Sequence, residues 1–140
     1  MRSSGEALHV VAAIIVSGGR VLACRRSQHK ASPGLWEFPG GKVDLGELPL
    51  DAIVREIQEE LELDVLPLRT FDVSETFVGD TLIRLECIVC KPLATFRLQS
   101  SDHDLFMWLL PNELSGLDWA APDLPAVRAL ESLDSFTGLL

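Results

Sequence analysis

Basic residues are scarce in this chain, and their scarcity excludes one class of partner. The 140 residues include three lysines among 12 basic residues, and the formal net charge is −9. Proteins that bind duplex nucleic acid usually present a basic face to the phosphates, so we expect no such partner here. A phosphorylated small molecule is compatible with this charge if a metal ion and a few local basic side chains supply the positive charge.

Long apolar runs and an even set of cysteines are also missing. The longest apolar run, from Leu8 to Val16, is far shorter than the roughly 20 residues of a membrane-spanning helix and contains His9. It lacks the small-residue cleavage site of a signal peptide, so we interpret it as a buried strand and expect no membrane partner and no export.

Three cysteines are typical of a reducing cytoplasm. Cys87 and Cys90 form a CxxC, but strand residues i and i+3 point to opposite faces, which favours core cysteines over a zinc or redox site.

The remaining pattern predicts a single domain over residues 1–140, because the length and a hydrophobic content of 47% suit one core. Strands are predicted at 8–16, 20–24, 35–38, 65–76, 81–91, 95–98 and 105–110, a helical turn at 111–113, and helices at 49–61 and 122–133. This order favours an α+β fold, or a three-layer α/β/α sandwich around a mixed sheet.

The most informative segment is GGKVDLGELPLDAIVREIQEELEL, residues 40–63. Its apolar residues at helical spacing predict an inward stripe of Leu50, Ile53, Val54, Ile57 and Leu61. Glu56, Glu59 and Glu60 stand at i, i+3 and i+4, so their carboxylates share one patch of helix surface. Their mutual repulsion would become binding if a divalent cation such as Mg²⁺, which prefers oxygen ligands, were present. A solvated helix face is the alternative for these three residues taken alone.

The same segment resembles the Nudix box, which reads Gly, five residues, Glu, seven residues, Arg-Glu, an apolar residue, any residue, Glu-Glu, any residue, Gly and an apolar residue. The matching positions here are Gly41, Glu47, Arg55, Glu56, Ile57, Glu59, Glu60 and Leu63. One position departs: Glu62 stands where the family has a glycine, which affects helix termination, since glycine favours a left-handed C-cap. The flanking stretches VVAAIIVSGGRVLACRR and GLWEFPGGKVDLGE are similar to the MutT-type pyrophosphohydrolases, including those that act on CTP and on oxidised dGTP.

This resemblance implies a Nudix fold, in which helices flank a central mixed sheet, and a hydrolase that uses Mg²⁺, with Mn²⁺ as the alternative ion. The metal ligands that it implies are the side chains of Glu56, Glu59 and Glu60 and the backbone carbonyl of Gly40. Glu56 is also the implied base. Glu47 and Arg55 would pair and fix the geometry of the loop and the helix, while the glycines at 40 and 41 would let the backbone approach metal and phosphate.

A further acid is implied by the spacing of a late tryptophan. MutT-type enzymes carry an acidic residue six positions before it, and here Asp102 stands six before Trp108. We expect Asp102 to reach the metals or the nucleophile, with a turn or capping role as the alternative. Asp104 is its neighbouring competitor, and His103 is expected to be exposed to solvent.

The residues implied to bind the substrate are Arg26, Glu37, Phe38, Gly40, Gly41, Lys42 and Asp123. Lys30 is a second candidate phosphate contact, and Leu35, Trp36 and Phe77 are candidates for pocket walls or for core. Asp123 falls where MutT has an asparagine that reads oxidised guanine and where CTP-directed members have aspartate. A carboxylate only accepts hydrogen bonds, which favours the donor-rich edges of cytosine and guanine over uracil and thymine. The alternative for Asp123 is an N-cap or first-turn acid of the last helix, a role that does not exclude base recognition.

Together these residues predict an enzyme that cuts a (deoxy)nucleoside triphosphate between the α and β phosphates, releasing the monophosphate and pyrophosphate. Oxidised purine nucleotides such as 8-oxo-dGTP and cytosine nucleotides such as CTP or dCTP are the two predicted substrate groups, and nucleotide-pool sanitation, with its link to DNA repair, is the predicted role. Alternatives are hydrolysis of ADP-ribose or a dinucleoside polyphosphate, and a catalytically silent nucleotide-sensing module. We expect a cytoplasmic monomer or homodimer.

Overall fold

Seven strands and two α-helices make up the described part of the chain, residues 6–140 of a computed structural model. The strands are β1 Leu8–Ser17, β2 Arg20–Arg26, β3 Trp36–Glu37, β4 Gly40–Lys42, β5 Val65–Val78, β6 Thr81–Pro92 and β7 His103–Leu109. The α-helices are α1 Pro49–Leu61 and α2 Leu124–Glu131, and short 3-10 helices lie at Pro111–Gly116, Ala121–Asp123 and Thr137–Leu139. This architecture confirms the predicted α+β class. Neither α-helix is long and apolar enough to cross a membrane.

The strands form one mixed sheet that is organised around β1. The sheet order is β3-β2-β1-β6-β5, with β4 also pairing with β1 and β7 with β2. β1 runs parallel to β6, from the pair Leu8–Ile83 to the pair Ile15–Cys90, and every other pairing is antiparallel. Because β1 joins β2 only near the hairpin turn and β4 and β6 along the rest of its length, it connects the two parts of the sheet between which the functional residues lie.

The two helices cover opposite faces of this sheet. Odd-numbered residues of β1, such as Val11 and Ile15, belong to the core under α1, whereas even-numbered residues such as Ile14 belong to the core under α2. Cys87 lies in the α2 core and Cys90 in the α1 core, both as buried free thiols. The predicted three layers and the predicted separation of the CxxC cysteines are therefore both observed.

Helix α1 has the predicted limits, Pro49 to Leu61. Its inward residues Ile53, Ile57 and Leu61 are completely buried, and each such side chain contributes about 1.5–3 kcal/mol to folding. The prediction for Leu50 was wrong, since this side chain is 42% exposed. It has the correct helical phase but lies in the first turn, where correct phase does not guarantee a packing partner. At the other end, Glu62 adopts the left-handed cap conformation, with φ of 53°, in the position where the family has glycine.

Other elements differ from the prediction at their limits. The predicted strand at 95–98 is irregular, although Phe96 and Leu98 still pack on the α1 core. The last helix is shorter than predicted, because its first residues form the separate 3-10 turn Ala121–Asp123. β2 continues to Arg26 and β7 begins at His103 rather than at Leu105, and these two extensions place side chains in the functional site.

Candidate active site

A pocket of about 580 Å³ collects most of the predicted site residues. Those on its lining are Arg26, Glu37, Phe38, Gly40, Gly41, Lys42, Glu60, Asp102 and Asp123. Lys30 and Leu35 line it too, whereas Trp36 is buried in the α2 core and Phe77 is 67% exposed outside the lining. The seven residues implied to bind substrate thus border one cavity, whereas two of the three candidate wall residues do not.

Arg55 holds the acids on one flank of α1. Its guanidinium makes a two-pronged contact with Glu47, with both N–O distances 2.9 Å, and its Nη1 donates to Glu56 at 2.9 Å and to Glu59 at 3.2 Å. Nη2 also donates to the Lys42 carbonyl at 3.0 Å, which ties the helix to β4. These hydrogen bonds from Arg55, with a further one from the Asp44 N–H, lower the pKa of Glu47 to about 2. The predicted Glu47–Arg55 pair is therefore formed, and Arg55 also contacts two of the three predicted metal ligands.

The double glycine is required by two close approaches. A Cβ on Gly41 would lie 2.3 Å from the Glu56 carboxyl group, and a Cβ on Gly40 would lie 1.9 Å from the Val11 carbonyl oxygen. Both distances are far below contact, so any side chain at 40 would separate β4 from β1, and one at 41 would displace the Glu56 carboxylate.

Glu60 lies in a different environment on the same helix. It follows Ile53 by seven residues, which places it on the inward face, and its side chain is only 10% exposed. Burial, together with the nearby carboxylates of Glu37, Asp102 and Glu56, raises the pKa of Glu60 to about 8, opposed only in part by Lys30. Glu60 is therefore the predicted metal ligand with the least compensated charge.

His103 and Glu37 reach Glu60 from the sheet. β3 and β7 pair with opposite edges of β2, so that Glu37 lies across from Cys24 and His103 across from Arg26. The His103 Nε2 atom is 2.8 Å from Glu37 Oε2 and 3.3 Å from Glu60 Oε1. The expectation that His103 is exposed was wrong, because its side chain is completely buried. The late start of the predicted strand concealed this placement, since His103 is the first residue of β7.

These groups fit a divalent cation. The ligand atoms of Glu37, Glu60 and His103 lie within 4.8 Å of one another, and Glu56 lies close enough to raise the pKa of Glu60. Carboxylate oxygens are the ligands that Mg²⁺ and Mn²⁺ take in proteins. A cation here would relieve the repulsion that raises the pKa of Glu60, so the donor set has both the chemistry and the charge for a metal.

Asp102 and Asp104 point to different places. Asp102 lines the pocket 3.6 Å from Lys30, and its charge is among those that raise the pKa of Glu60. Asp104 instead accepts a 2.8 Å hydrogen bond from Arg25, which lowers the pKa of Asp104. Arg26 turns toward the pocket and binds Glu37 at 2.9 Å, so the two neighbouring arginines face opposite sides of β2.

Asp123 is buried at the far end of the pocket. Trp36 bonds through its backbone to Asp118 and Ala120, and the turn that follows brings Asp123 Oδ2 within 2.9 Å of the Phe38 N–H. Burial raises the pKa of Asp123 to about 8 although the Phe38 N–H lowers it. Asp123 does occupy the N-cap position of α2, as the alternative had it, but its side chain makes no capping hydrogen bond to the helix.

Comparison with known proteins gives one consistent result. A model of the NUDIX domain matches residues 7–133. The chain is 32% identical to the CTP pyrophosphohydrolase of Escherichia coli strain K12, over 90% of this chain and 93% of that protein. It is 26% identical to the 8-oxo-dGTP diphosphatase of Buchnera aphidicola subsp. Schizaphis graminum, over 91% and 96%. The solution structure of the MutT protein of the Nudix family from methicillin-resistant Staphylococcus aureus 252 superposes with a TM-score of 0.72 at 35% identity, over 91% of this chain and 97% of that chain.

Proposed function

Because this chain belongs to the Nudix hydrolase family, we propose that it is a Mg²⁺-dependent pyrophosphohydrolase that cleaves a (deoxy)nucleoside triphosphate to the monophosphate and pyrophosphate. The observation that carries this proposal is the pocket itself, in which the acidic end of α1 borders the same cavity as Arg26, Phe38 and the buried Asp123. One end thus suits a metal-bound polyphosphate and the other end suits a base.

At the phosphate end, Glu56, Glu59 and Glu60 would hold Mg²⁺ together with the Gly40 carbonyl. The ion would neutralise charge on the phosphate oxygens and make water a better nucleophile. Glu56 would accept the proton from that water, since Gly41 leaves room for its carboxylate beside the backbone. Arg55 would keep Glu56 in place through its 2.9 Å contact and is itself anchored by Glu47.

Positive side chains at the pocket would balance the remaining phosphate charge. Arg26, Lys30 and Lys42 all line it, and Lys30 lies opposite Asp102. Asp102 would then act near the metals, as the closer of the two candidate aspartates. The carboxylates alone would repel a triphosphate, so metal and cations together make the pocket suitable for one.

At the base end, Asp123 is the proposed selector. We argued from the sequence that a carboxylate only accepts hydrogen bonds, but this holds only for the ionised form. With a pKa raised to about 8, the protonated form predominates near pH 7 and donates one hydrogen bond as well. Because every base presents a donor next to an acceptor on its pairing edge, the protonated form alone does not select between bases. Support for cytosine nucleotides and oxidised guanine nucleotides as the two substrate groups comes instead from the relatives, a CTP pyrophosphohydrolase and an 8-oxo-dGTP diphosphatase.

The proposed setting is the cytoplasm, where the protein would remove damaged or surplus nucleotides from the pool as a single domain of residues 1–140, either monomeric or homodimeric. The three buried free thiols of Cys24, Cys87 and Cys90 suit a reducing compartment.

The direct test is turnover by purified protein with Mg²⁺ against a panel of nucleotides, with pyrophosphate and phosphate measured separately. The proposal predicts stoichiometric pyrophosphate and monophosphate from 8-oxo-dGTP, CTP or dCTP. Turnover confined to nucleotide sugars, ADP-ribose or dinucleoside polyphosphates would show that the triphosphate assignment is wrong.

The base assignment has its own test in Asp123→Asn. The amide keeps an oxygen that can accept from the Phe38 N–H but cannot ionise, so we expect the ratio of kcat/KM between cytosine and oxidised guanine substrates to change by about 10-fold, within the range of one base contact. The Mg²⁺ requirement should stay the same. An unchanged ratio would leave Asp123 with only the role of anchoring Phe38.

A further inference from the structure

His103 is a buried polar residue to which the proposed reaction gives no role. Its ring is fully enclosed and lies between three polar groups: Glu37, Glu60 and the Ser100 hydroxyl. The ring could either ligate a metal through Nε2 or donate a hydrogen bond from Nε2. These two roles require opposite states of that nitrogen, since a ligand needs a free lone pair and a donor needs a hydrogen.

The hydrogen bonds around the ring distinguish the two roles. Glu37 is paired with Arg26 at 2.9 Å, so it is a carboxylate and can only accept, and its other oxygen lies 2.8 Å from His103 Nε2. Nε2 therefore carries a hydrogen. On the other side of the ring, Nδ1 is 3.1 Å from Ser100 Oγ, which itself accepts from the Asp102 N–H at 3.1 Å. The Ser100 hydroxyl can then donate its hydrogen to Nδ1. This arrangement leaves the Nε2–H of the ring directed toward the carboxylates.

We propose that His103 is a positioning residue that holds the Glu60 carboxylate for metal binding, with Nε2–H donated to Glu37 and Nε2 also in contact with Glu60 Oε1 at 3.3 Å. This inference rests on the proposed function only in taking Glu60 as a metal ligand. Arg26 holds one oxygen of Glu37, and the other oxygen of Glu37 holds the His103 ring in place. The 3.3 Å contact of that ring with Glu60 Oε1 then restricts the position of the Glu60 carboxylate. Neighbours that orient a metal ligand typically contribute 10- to 100-fold to metal affinity.

The test compares His103→Gln with His103→Asn. The glutamine amide reaches about the place of Nε2 and can donate to both carboxylates, while the asparagine amide reaches only about the place of Nδ1. Mn²⁺ affinity without nucleotide is measured by electron paramagnetic resonance, after thermal unfolding has shown that each variant is folded. We expect a loss of about 10-fold for asparagine and of no more than about 3-fold for glutamine.

A matched control is His9→Asn. His9 makes the same kind of contact, 3.1 Å from Glu86, away from the pocket lining, and its loss should leave Mn²⁺ affinity unchanged. Nitrogen NMR of the wild-type ring adds a readout that needs no variant. We expect the hydrogen to stay on Nε2 before and after Mg²⁺ is added, and its loss on metal binding would show that His103 is a ligand instead.

Wild-type affinity in His103→Asn would overturn the positioning role, as would loss of the Nε2 hydrogen. Since these measurements use the metal alone, they are separate from the substrate question. A protein that hydrolyses no triphosphate but loses Mn²⁺ affinity in His103→Asn would keep the positioning role and lose the proposed function. If neither variant folds, the NMR measurement on the wild-type protein decides.

Discussion

Two flanks of helix α1 carry the same residue type in opposite electrostatic states. On one flank, Arg55 surrounds itself with Glu47, Glu56 and Glu59, and the pKa of Glu47 falls to about 2. On the other, Glu60 is buried among further carboxylates and its pKa rises to about 8. The first flank is compensated in part by Arg55, whereas on the second only Lys30 opposes the carboxylates around Glu60. The comparison indicates that Arg55 fixes the geometry of the first flank and that the charge a metal would relieve most is that of Glu60.

The largest effect should come from removing one acid on each flank. Glu56→Gln and Glu60→Gln keep the shape of the side chain but remove the charge of a proposed metal ligand, and for Glu56 also that of the proposed base. We expect each to lower kcat by about 10²–10⁴-fold, the range of a lost acid–base group. Asp51→Asn, on the exposed first turn of α1, is the control and should retain normal turnover. Near wild-type rates in both glutamine variants would contradict the metal-site assignment.

Arg55→Met tests whether the first flank depends on the arginine. It leaves Glu47, Glu56 and Glu59 without their shared partner, and we expect the free energy of unfolding at pH 7 to fall by about 2 kcal/mol. Arg55→Lys keeps the positive charge but loses the two-pronged contact, so its free energy of unfolding should lie between those of the wild type and Arg55→Met. Denaturant titration measures both, and an Arg55→Met protein as stable as the wild type would refute the bracing role.

The pH dependence of that loss follows from Glu47. Its folded-state pKa of about 2 is below its ordinary value of 4.5, so the pairing stabilises the fold above pH 4.5 and is lost as the pH falls toward 2. The stability difference between wild type and Arg55→Met should therefore shrink over that range. A difference that stays constant would show that the arginine acts through packing instead.

Glu60 should show the reverse dependence in the metal-free protein. Its folded-state pKa of about 8 exceeds its ordinary value of 4.5, so between these values the folded state binds more protons and stability falls as the pH rises. Glu60→Gln has no ionisable group at this position and therefore avoids this loss of stability with rising pH. With a chelator present, we expect it to be more stable than wild type by on the order of 1–4 kcal/mol at pH 8 and to match it near pH 4. A Glu60→Gln protein that is less stable at pH 8 would contradict the uncompensated charge.

The smallest effect lies just past the end of the helix. Glu62 is left-handed and accepts a hydrogen bond from Gln99. Glu62→Gly and Glu62→Ala both lose that contact, but only glycine relieves the backbone strain, so the glycine variant should be about 1 kcal/mol more stable than the alanine variant. Activity should be unchanged in both. Equal stabilities would mean that the cap conformation costs nothing here.

Local patterns were sufficient for much of this molecule. Helical spacing predicted α1 close to its observed limits, and strand alternation placed Cys87 and Cys90 on opposite faces. The resemblance to the Nudix box implied the Glu47–Arg55 pair, and the structure forms it. Helical phase also places Glu60 seven residues after Ile53 on the inward face, a signal that was available and decided its burial.

Contacts between distant segments could not be predicted in this way. His103 was expected in solvent because nothing in its own neighbourhood shows that β7 pairs with β2 beneath α1. The capping alternative for Asp123 fitted local sequence rules. However, backbone pairing of Trp36 with residues 118–120 directs the Asp123 side chain to the Phe38 N–H instead. The prediction that Leu50 is buried was wrong for the same reason, since burial depends on a packing partner as well as on helical phase.

The sequence by itself determined which residues form the helix, which are charged and which are candidates to bind a metal. It could do so because spacing along one helix or one strand is fixed by covalent geometry. The tertiary structure alone decided their ionisation and their orientation, because burial and neighbouring charge are set by segments far apart in the chain. That is why Glu47 and Glu60, both acids of the same box, have pKa values that lie on opposite sides of the ordinary one.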